Sequence, residues 1–302
     1  MKIVITGGNS FIGKALARKA AKDGNQVVLV VRSAARTEEI SNVSYEFLPM
    51  EQYKKLGSLI GTCDCMINLS WDGTRGSTRM DRKLQQGNYK NTMDGIISML
   101  ETGCRRIVTA GSQAEYGHHD GVISEKTPCC PNTEYGIAKL NLYESVRNAC
   151  SEYKAELVEP RFFSLYGPGD YSGTMIMSTL TAMLKNMPCR LSAGVQMWDY
   201  LYLADAIDGV WKLCTQPCES GAYNLGSGDV RTLKSYVMEM AEITKTESEL
   251  HFGAVPYPET GMVSIWPDIS KMRNELGWKP QVSFKTGVSR ILKDMKKEGT
   301  KI

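Results

Sequence analysis

The chain opens MKIVITGGNSFIGKALARKA, and its first thirteen residues restrict the possible fold more than any other stretch. Ile3, Val4 and Ile5 form a short apolar run that ends in Thr6-Gly7-Gly8-Asn9-Ser10-Phe11-Ile12-Gly13, after which Ala15, Leu16, Ala17 and Ala20 recur at roughly helical spacing. That pattern predicts a strand, a tight turn and a helix. Glycines in such a turn let the backbone bend sharply and approach a ligand closely, while the helix start offers unpaired N–H groups and a positive dipole end to an anion. The guest that fits is a dinucleotide pyrophosphate, with Gly7, Gly8, Asn9, Ser10, Phe11, Ile12 and Gly13 as candidate contacts. A glycine-rich strand-to-helix turn is also found as a plain turn, so the rest of the chain has to decide.

Apolar runs and helical patterns alternate from there on. Continuous apolar or β-prone segments at 27–31, 66–70, 106–110 and 157–159 read as buried strands, separated by helical patterns that include 93–100 and 139–150. Strands separated by helices imply βαβ units, and so an α/β fold with a doubly wound parallel sheet over residues 1–165. Beyond Arg161 the texture changes. Tyr166-Gly167-Pro168-Gly169-Asp170 breaks the chain, 175–187 reads as a helix, and 253–267 is rich in Pro, Gly and aromatic residues. This predicts a smaller C-terminal α/β lobe from 166–194 and 223–302, with 195–222 returning to the first domain. Such a lobe closes over the strand ends, where open α/β sheets bind ligands.

Composition narrows the function classes. Across 302 residues, 42% are hydrophobic and 23% charged, which is ordinary for a globular protein and excludes disordered and fibrous classes. The net charge of +3, with no Lys/Arg run interleaved with aromatics, argues against nucleic acid as a partner. No stretch approaches the roughly 20 apolar residues of a membrane helix, and a strand begins where a leader would stand, so the expectation is a cytoplasmic protein without a membrane partner. The 9 cysteines are scattered and the close pairs, Cys63/Cys65 and Cys129-Cys130, lack a second pair at zinc spacing. With 3 histidines, no metal site is expected.

A second constellation carries chemistry. In Asn132-Thr133-Glu134-Tyr135-Gly136-Ile137-Ala138-Lys139 the phenol and the ammonium are four residues apart, on one face of a helix. A cation near a phenol is expected to favour the phenolate and lower its pKa toward working pH, giving an acid/base. Upstream, Ala110-Gly111-Ser112 ends a strand and supplies a hydroxyl able to bond the same substrate oxygen.

Taken in chain order, ITGGNSFIG at 5–13, Asn88 in QQGNYKNTMDG, GSQAEYG at 111–117, YGIAK at 135–139, PRFFSLYGPG at 160–169, DYLYLADAIDGV at 199–210, YNLGSG at 223–228 and DISKMRNELGWKP at 268–280 span nearly the whole chain. With these landmarks the sequence resembles the extended short-chain dehydrogenase/reductases, in particular the NAD(P)-dependent epimerase/dehydratase group that acts on nucleotide sugars. The resemblance implies a Rossmann fold, a nicotinamide cofactor, a nucleotide-sugar substrate and a homodimer built on the helices around 93–100 and 139–150. It implies that Tyr135 exchanges a proton with a sugar oxygen, that Lys139 lowers the phenol pKa and holds the nicotinamide ribose, that Ser112 orients the substrate oxygen, and that Asn88 supports the site through its helix. It adds Leu69, Ser70 and Phe162 as cofactor contacts, and Trp71 and Gln113 as substrate contacts.

Departures from the family pattern are informative. Ser10 stands where a central glycine is usual, so either the backbone sits farther from the pyrophosphate or the hydroxyl adds a hydrogen bond. Val31-Arg32 replaces the acidic residue that grips an adenosine ribose, and Arg32 with Arg36 is suited to a 2′-phosphate, so NADP(H) is preferred, with NAD(H) as the alternative. Gln113 and Ala114 occupy the places of the Asp-Glu pair of family 4,6-dehydratases, which disfavours dehydration and leaves reduction or epimerisation. Ser164 takes the place of an Asn, and Trp198 that of an Arg preceding Asp199, on the substrate's diphosphate side; Arg190 and Arg231 are the candidate compensating cations. Because a fold does not fix a substrate, a carbonyl reductase for a non-sugar metabolite and a catalytically silent NAD(P)-binding regulator are the alternatives.

Overall fold

The structure, a computed structural model, describes residues 1–35, 37–257 and 262–297. The main sheet has eight parallel strands among the described residues, seven of them in one continuous path: β1 (Lys2–Thr6), β2 (Gln26–Val31), β3 (Val43–Phe47), β4 (Cys65–Asn68), β5 (Arg106–Thr109), β6 (Glu156–Phe162) and β7 (Gly221–Leu225), with the two-residue strand Gly111–Ser112 pairing with β6 off that path. Their spatial order is β7-β6-β5-β4-β1-β2-β3. The chain works outward from β1 to β3, then crosses back to lay β4 against the other side of β1. The switch therefore falls between β1 and β4, and a crevice opens where both strands end. Register places Thr6 beside Val30 and Asn68, so Gly7 and Leu69 leave the sheet at the same level.

Eight α-helices of seven or more residues occur among the described residues: α1 (Phe11–Lys22), α2 (Arg82–Glu101), α3 (Glu134–Glu152), α4 (Met175–Leu184), α5 (Leu203–Thr215), α6 (Leu233–Thr244), α7 (Ser270–Leu276) and α8 (Phe284–Lys297). Alternation along β1 sorts the layers. Ile3 and Ile5 pack toward Leu16, Ala20 and Val210 on α1 and α5. Val4 packs toward Ile96, Met99 and Val146 on α2 and α3. Period-two alternation inside a fully apolar strand thus gives both faces a helical cover.

Helices exceed the segments read from the sequence because side-chain caps extend them. Asp81 accepts from Leu84 N at 3.0 Å, so α2 begins well before residue 93. Thr133 accepts from Gly136 N at 3.0 Å, so α3 begins before Tyr135 and carries it inside the helix. Strands β3 and β7 were not marked in the sequence. The chain also returns to the Rossmann layer more than once: besides α5, both β7 and the Ile269–Trp278 region, including Met272 and Leu276, join that core. The remaining elements, α4, α6 and α8, pack around Tyr166, Tyr236 and Phe284. Among the described residues, no helix is long and apolar enough to cross a membrane.

Candidate functional site

The turn after β1 is shaped as a cradle. Gly7 has φ +69°, and a Cβ there would lie 2.9 Å from Leu69 C and Ser70 N, so only glycine lets the turn press against the end of β4. A Cβ on Gly13 would lie 2.5 Å from Gly7 O, so this glycine lets α1 start directly behind the turn. Ser10 is the N-cap of α1, its Oγ accepting from Gly13 N at 3.0 Å. The hydroxyl therefore serves the helix start, which answers the question raised by the departure from glycine. No acidic residue stands in the first turn of α1, leaving the positive dipole end open to an anion.

Next to the cradle lies a cleft of ≈ 340 Å³ lined by Gly8, Asn9, Arg32, Ser70, Trp71 and Asp72 among others. The glycine backbone and an arginine thus line one cleft. Asn9 Nδ2 donates to Ala35 O at 2.9 Å, tying the turn to the loop after β2. Arg32 is 70% exposed and pairs with Asp72 at 3.3 Å. Arg36 lies outside the described residues. Ile12 and Leu69 pack against the core beneath the crevice, and the rim of the Phe11 ring lies beside Gly167 of the C-terminal segment.

The second group of residues gathers at the ends of β5 and β6. Gly111-Ser112 pairs with Arg161-Phe162, which sets Ser112 beside Phe162. Ser112 Oγ accepts from Ala114 N at 3.2 Å, and Glu115 Oε1 accepts from Ser112 N at 2.7 Å, a reciprocal capping box. Tyr135 is buried, with the Trp71 ring meeting it edge-on at 6.2 Å and the Arg79 guanidinium over its ring at 4.8 Å. Lys139, also buried, donates from Nζ to Ala110 O at 2.9 Å and sits 3.8 Å from the Trp71 ring centroid.

Electrostatics here differ from the sequence expectation. Lys139 was expected to lower the Tyr135 pKa. Instead, burial pushes the phenol up, while the Ser112 hydroxyl and the Arg79 cation pull against it. The reason is geometric: Lys139 Nζ faces Ala110 O and the indole, 5.9 Å from the Tyr135 ring centroid. Burial in turn pushes Lys139 down to about 8, opposed by the Glu115 and Glu159 carboxylates.

Asn88 reaches the site through a loop. It is buried on α2, donates to Asp72 O at 2.8 Å and accepts from Asp72 N, fixing the backbone that follows Trp71. Gln85, one turn earlier and fully buried, was not singled out from sequence. It accepts from Trp71 Nε1 at 2.7 Å and donates to Gly73 O and Thr78 O, both at 3.0 Å. An amide at i−3 from a candidate residue, on the same helix face, was the available signal.

Beneath Ser112 lies a second group that the sequence reading passed over. Arg161 Nε is 2.9 Å from both Glu115 Oε2 and Glu159 Oε2, and all three side chains are at most 3% exposed. Two carboxylates share one guanidinium. Burial pushes Glu159 well up, and the nearby Glu115 charge pushes in the same direction. Arg161 also lies over the Tyr116 ring at 4.7 Å and the Tyr143 ring at 5.3 Å.

The candidate substrate residues divide. Trp71 touches the Tyr135 and Lys139 side chains directly, and Gln113 follows Ser112 in the capped turn. Ser164 anchors its strand segment, its carbonyl accepting from Leu201 N at 2.8 Å. Trp198 pairs across a short ladder with Arg231, and its Nε1 is buried without a partner. Arg231 is engaged by Asp229 and Glu239 and lies over the Tyr236 ring at 4.0 Å. Arg190 donates to Ala254 O at 3.3 Å. The partners of both arginines thus belong to the C-terminal lobe, and the structure does not gather them at Tyr135.

Known proteins resemble this chain in sequence and in fold. The NAD dependent epimerase/dehydratase family matches over residues 3–226. The dTDP-6-deoxy-L-talose 4-dehydrogenase (NAD(+)) of Aggregatibacter actinomycetemcomitans is 24% identical, with 88% of this chain and 99% of that protein covered. The dTDP-4-dehydro-6-deoxyglucose reductase of Escherichia coli is 24% identical over 97% of each. Among solved structures, UDP-glucose 4-epimerase of Thermotoga maritima with UDP-glucose superposes with TM-score 0.89 at 20% identity, covering 99% of both chains. At this identity the superposition establishes the fold.

Proposed function

The chain belongs to the NAD dependent epimerase/dehydratase family, and from that premise we propose that it transfers a hydride at a ring carbon of a nucleotide-activated sugar, reducing or epimerising it. The observation that carries this reading is the meeting of Ser112, Tyr135 and Lys139 at the strand ends beside the glycine cradle. A regulator that only senses cofactor needs the cradle but not a phenol and a hydroxyl set against one another.

In this reading Gly7, Gly8, Ser10 and Gly13 admit the pyrophosphate, Leu69 and Ser70 flank it, and Lys139 and Phe162 border the nicotinamide end. When bound, the cofactor supplies or accepts the hydride. Tyr135 Oη gives a proton to the substrate oxygen during reduction, or removes one during oxidation. The raised phenol pKa keeps Tyr135 protonated in the ligand-free protein, which suits a proton donor to a keto sugar. Ser112 presents its hydroxyl to the same oxygen, and Asn88 and Gln85 hold Trp71 and the following loop over the phenol. Gln113 and Ala114 offer no acid or base. The carboxylate that follows them, Glu115, is fully buried and bound by Ser112 N and Arg161, so we favour simple hydride transfer over 4,6-dehydration.

Relatives carry NAD in their names or structures, among them UDP-glucose 4-epimerase of Thermus thermophilus. For this chain we propose that Arg32 favours the 2′-phosphate of NADP(H), since its exposed pair with Asp72 is weak and readily exchanged. We also propose a homodimer through α2 and α3, whose sedimentation signature is a dimer at micromolar concentration. The experiment that tests the functional reading is native mass spectrometry of the purified protein, followed by titration with UDP-, dTDP- and GDP-sugars. A bound nicotinamide dinucleotide and one nucleotide series binding at micromolar levels are expected. A protein that binds the dinucleotide and no nucleotide sugar would contradict it.

A further inference from the structure

Two arginines sit in the loop between Trp71 and α2, and the structure treats them differently. Arg75 is engaged: its Nη2 lies 3.7 Å from Oδ1 of Asp170, whose side chain is 4% exposed, and its guanidinium lies over the Tyr171 ring at 5.1 Å. The loop is thereby pinned to the C-terminal lobe. Arg79 makes no ion pair among the described residues. It is half-buried, and its guanidinium stands 4.8 Å from the ring centroid of Tyr135.

That position is built rather than incidental. Gln85, fully buried, grips the loop at Gly73 O and at Thr78 O, the residue immediately before Arg79. Asn88 grips it again at Asp72. A second cation, Lys139, lies 5.9 Å from the centroid of the same ring and also makes no ion pair among the described residues. The carboxylates that act on Tyr135 and Lys139, Glu115 and Glu159, are buried and share Arg161. The phenol ring itself stabilises a guanidinium over its face, and the Arg79 N–H donors make no hydrogen bond among the described residues, which leaves them for an incoming anion.

A guanidinium has five donors and no acceptor, in a planar fork that matches a carboxylate. An oxygen hydrogen-bonded to Tyr135 Oη stands about 3 Å from it, which puts the reacting oxygen and the Arg79 fork within the span of one pyranose ring. We infer that Arg79 binds a carboxylate carried by the sugar ring, so that the substrate of this site is a nucleotide-linked uronic acid rather than a neutral hexose. The inference rests on the hydride-transfer reading above and adds the substrate class to it.

Calorimetric titration of the protein saturated with NADP⁺, and separately with NAD⁺, tests it with two matched pairs: UDP-glucuronic acid against UDP-glucose, and GDP-mannuronic acid against GDP-mannose. In at least one pair the uronate binds tenfold or more tighter than its hexose. Arg79→Gln brings that ratio to within twofold, and Arg79→Lys, which keeps the charge without the fork, retains part of it. A wild-type ratio of one or less in both pairs overturns the inference and leaves the hydride-transfer reading standing, whether or not the variants fold. A ratio unchanged in Arg79→Gln does the same. Failure of all four ligands to bind overturns the inference, and the hydride-transfer reading falls with it only when dTDP-sugars fail to bind as well.

Discussion

Lys139 offers a thermodynamic test of how deeply the candidate catalytic pair is buried. Its side chain sits in a residue only 3% exposed, and burial lowers its pKa from the ordinary 10.5 to about 8, against the opposing pull of Glu115 and Glu159. Between those two pH values the unfolded chain holds a proton that the folded protein has released. The unfolded state then binds more protons, so the free energy of unfolding rises with pH through that window. At about 1.4 kcal/mol for each pH unit, the interval corresponds to about 3 kcal/mol. The full penalty is present at pH 7 and is relieved as pH approaches 10.5. Urea unfolding of the cofactor-free protein and of Lys139→Met at pH 7, 8, 9 and 10 isolates the effect, because other titrating groups are common to both. The wild type gains about 2 to 3 kcal/mol relative to the variant across the series. Parallel curves would refute the reasoning, since they would mean that the folded protein holds the ammonium as readily as water does.

Other changes probe the remaining parts of the site. Arg32→Asp reverses the preference of NADPH over NADH in fluorescence titrations, and Asp72→Asn strengthens the wild-type preference by freeing the guanidinium; equal affinities in the wild type would remove Arg32 from the account. Gly13→Ala, whose Cβ would meet Gly7 O at 2.5 Å, lowers dinucleotide affinity tenfold or more and costs about 1–3 kcal/mol of stability; unchanged affinity contradicts the cradle. Arg161→Met leaves Glu115 and Glu159 without a counter-ion and costs about 3–5 kcal/mol at pH 7 in chemical unfolding. That loss shrinks at pH 5, because the two carboxyls, pushed up by burial, take protons there; a pH-independent loss contradicts the shared-guanidinium arrangement.

Much of this architecture was legible in the residues because local pattern and tertiary role coincide. The apolar run of β1, the glycines after it and the spacing of Leu16, Ala17 and Ala20 state the strand, cradle and helix directly. Tyr135 and Lys139 share a face because four residues span about one helical turn. What escaped detection depends on distant partners. Strand β3 mixes Ser44 and Glu46 with apolar residues because it is an edge, and β7 is defined by its pairing with β6 across more than sixty intervening positions. Glu115, Glu159 and Arg161 look like ordinary charges until β6 and the capped turn after Ser112 bring them together. The direction of the Tyr135 pKa was misread for a related reason: spacing places Lys139 on the right face, but the Ala110 carbonyl and the Trp71 ring decide where its ammonium points. Arg79 carries no motif, and its position over Tyr135 follows from Gln85 gripping the loop.

The central claim is that a hydride moves to a sugar ring carbon while Tyr135 supplies the proton. Single-turnover incubation of the protein with C4-deuterated reduced dinucleotide and 4-keto nucleotide sugars, followed by mass spectrometry of the product, reads this directly for a reductase and an epimerase alike. The account predicts deuterium on the reduced ring carbon with the wild type. It also predicts at least a ~10²-fold slower transfer in Tyr135→Phe, with cofactor affinity within a fewfold. Transfer by Tyr135→Phe at near the wild-type rate, or turnover with no deuterium in the product, would contradict it.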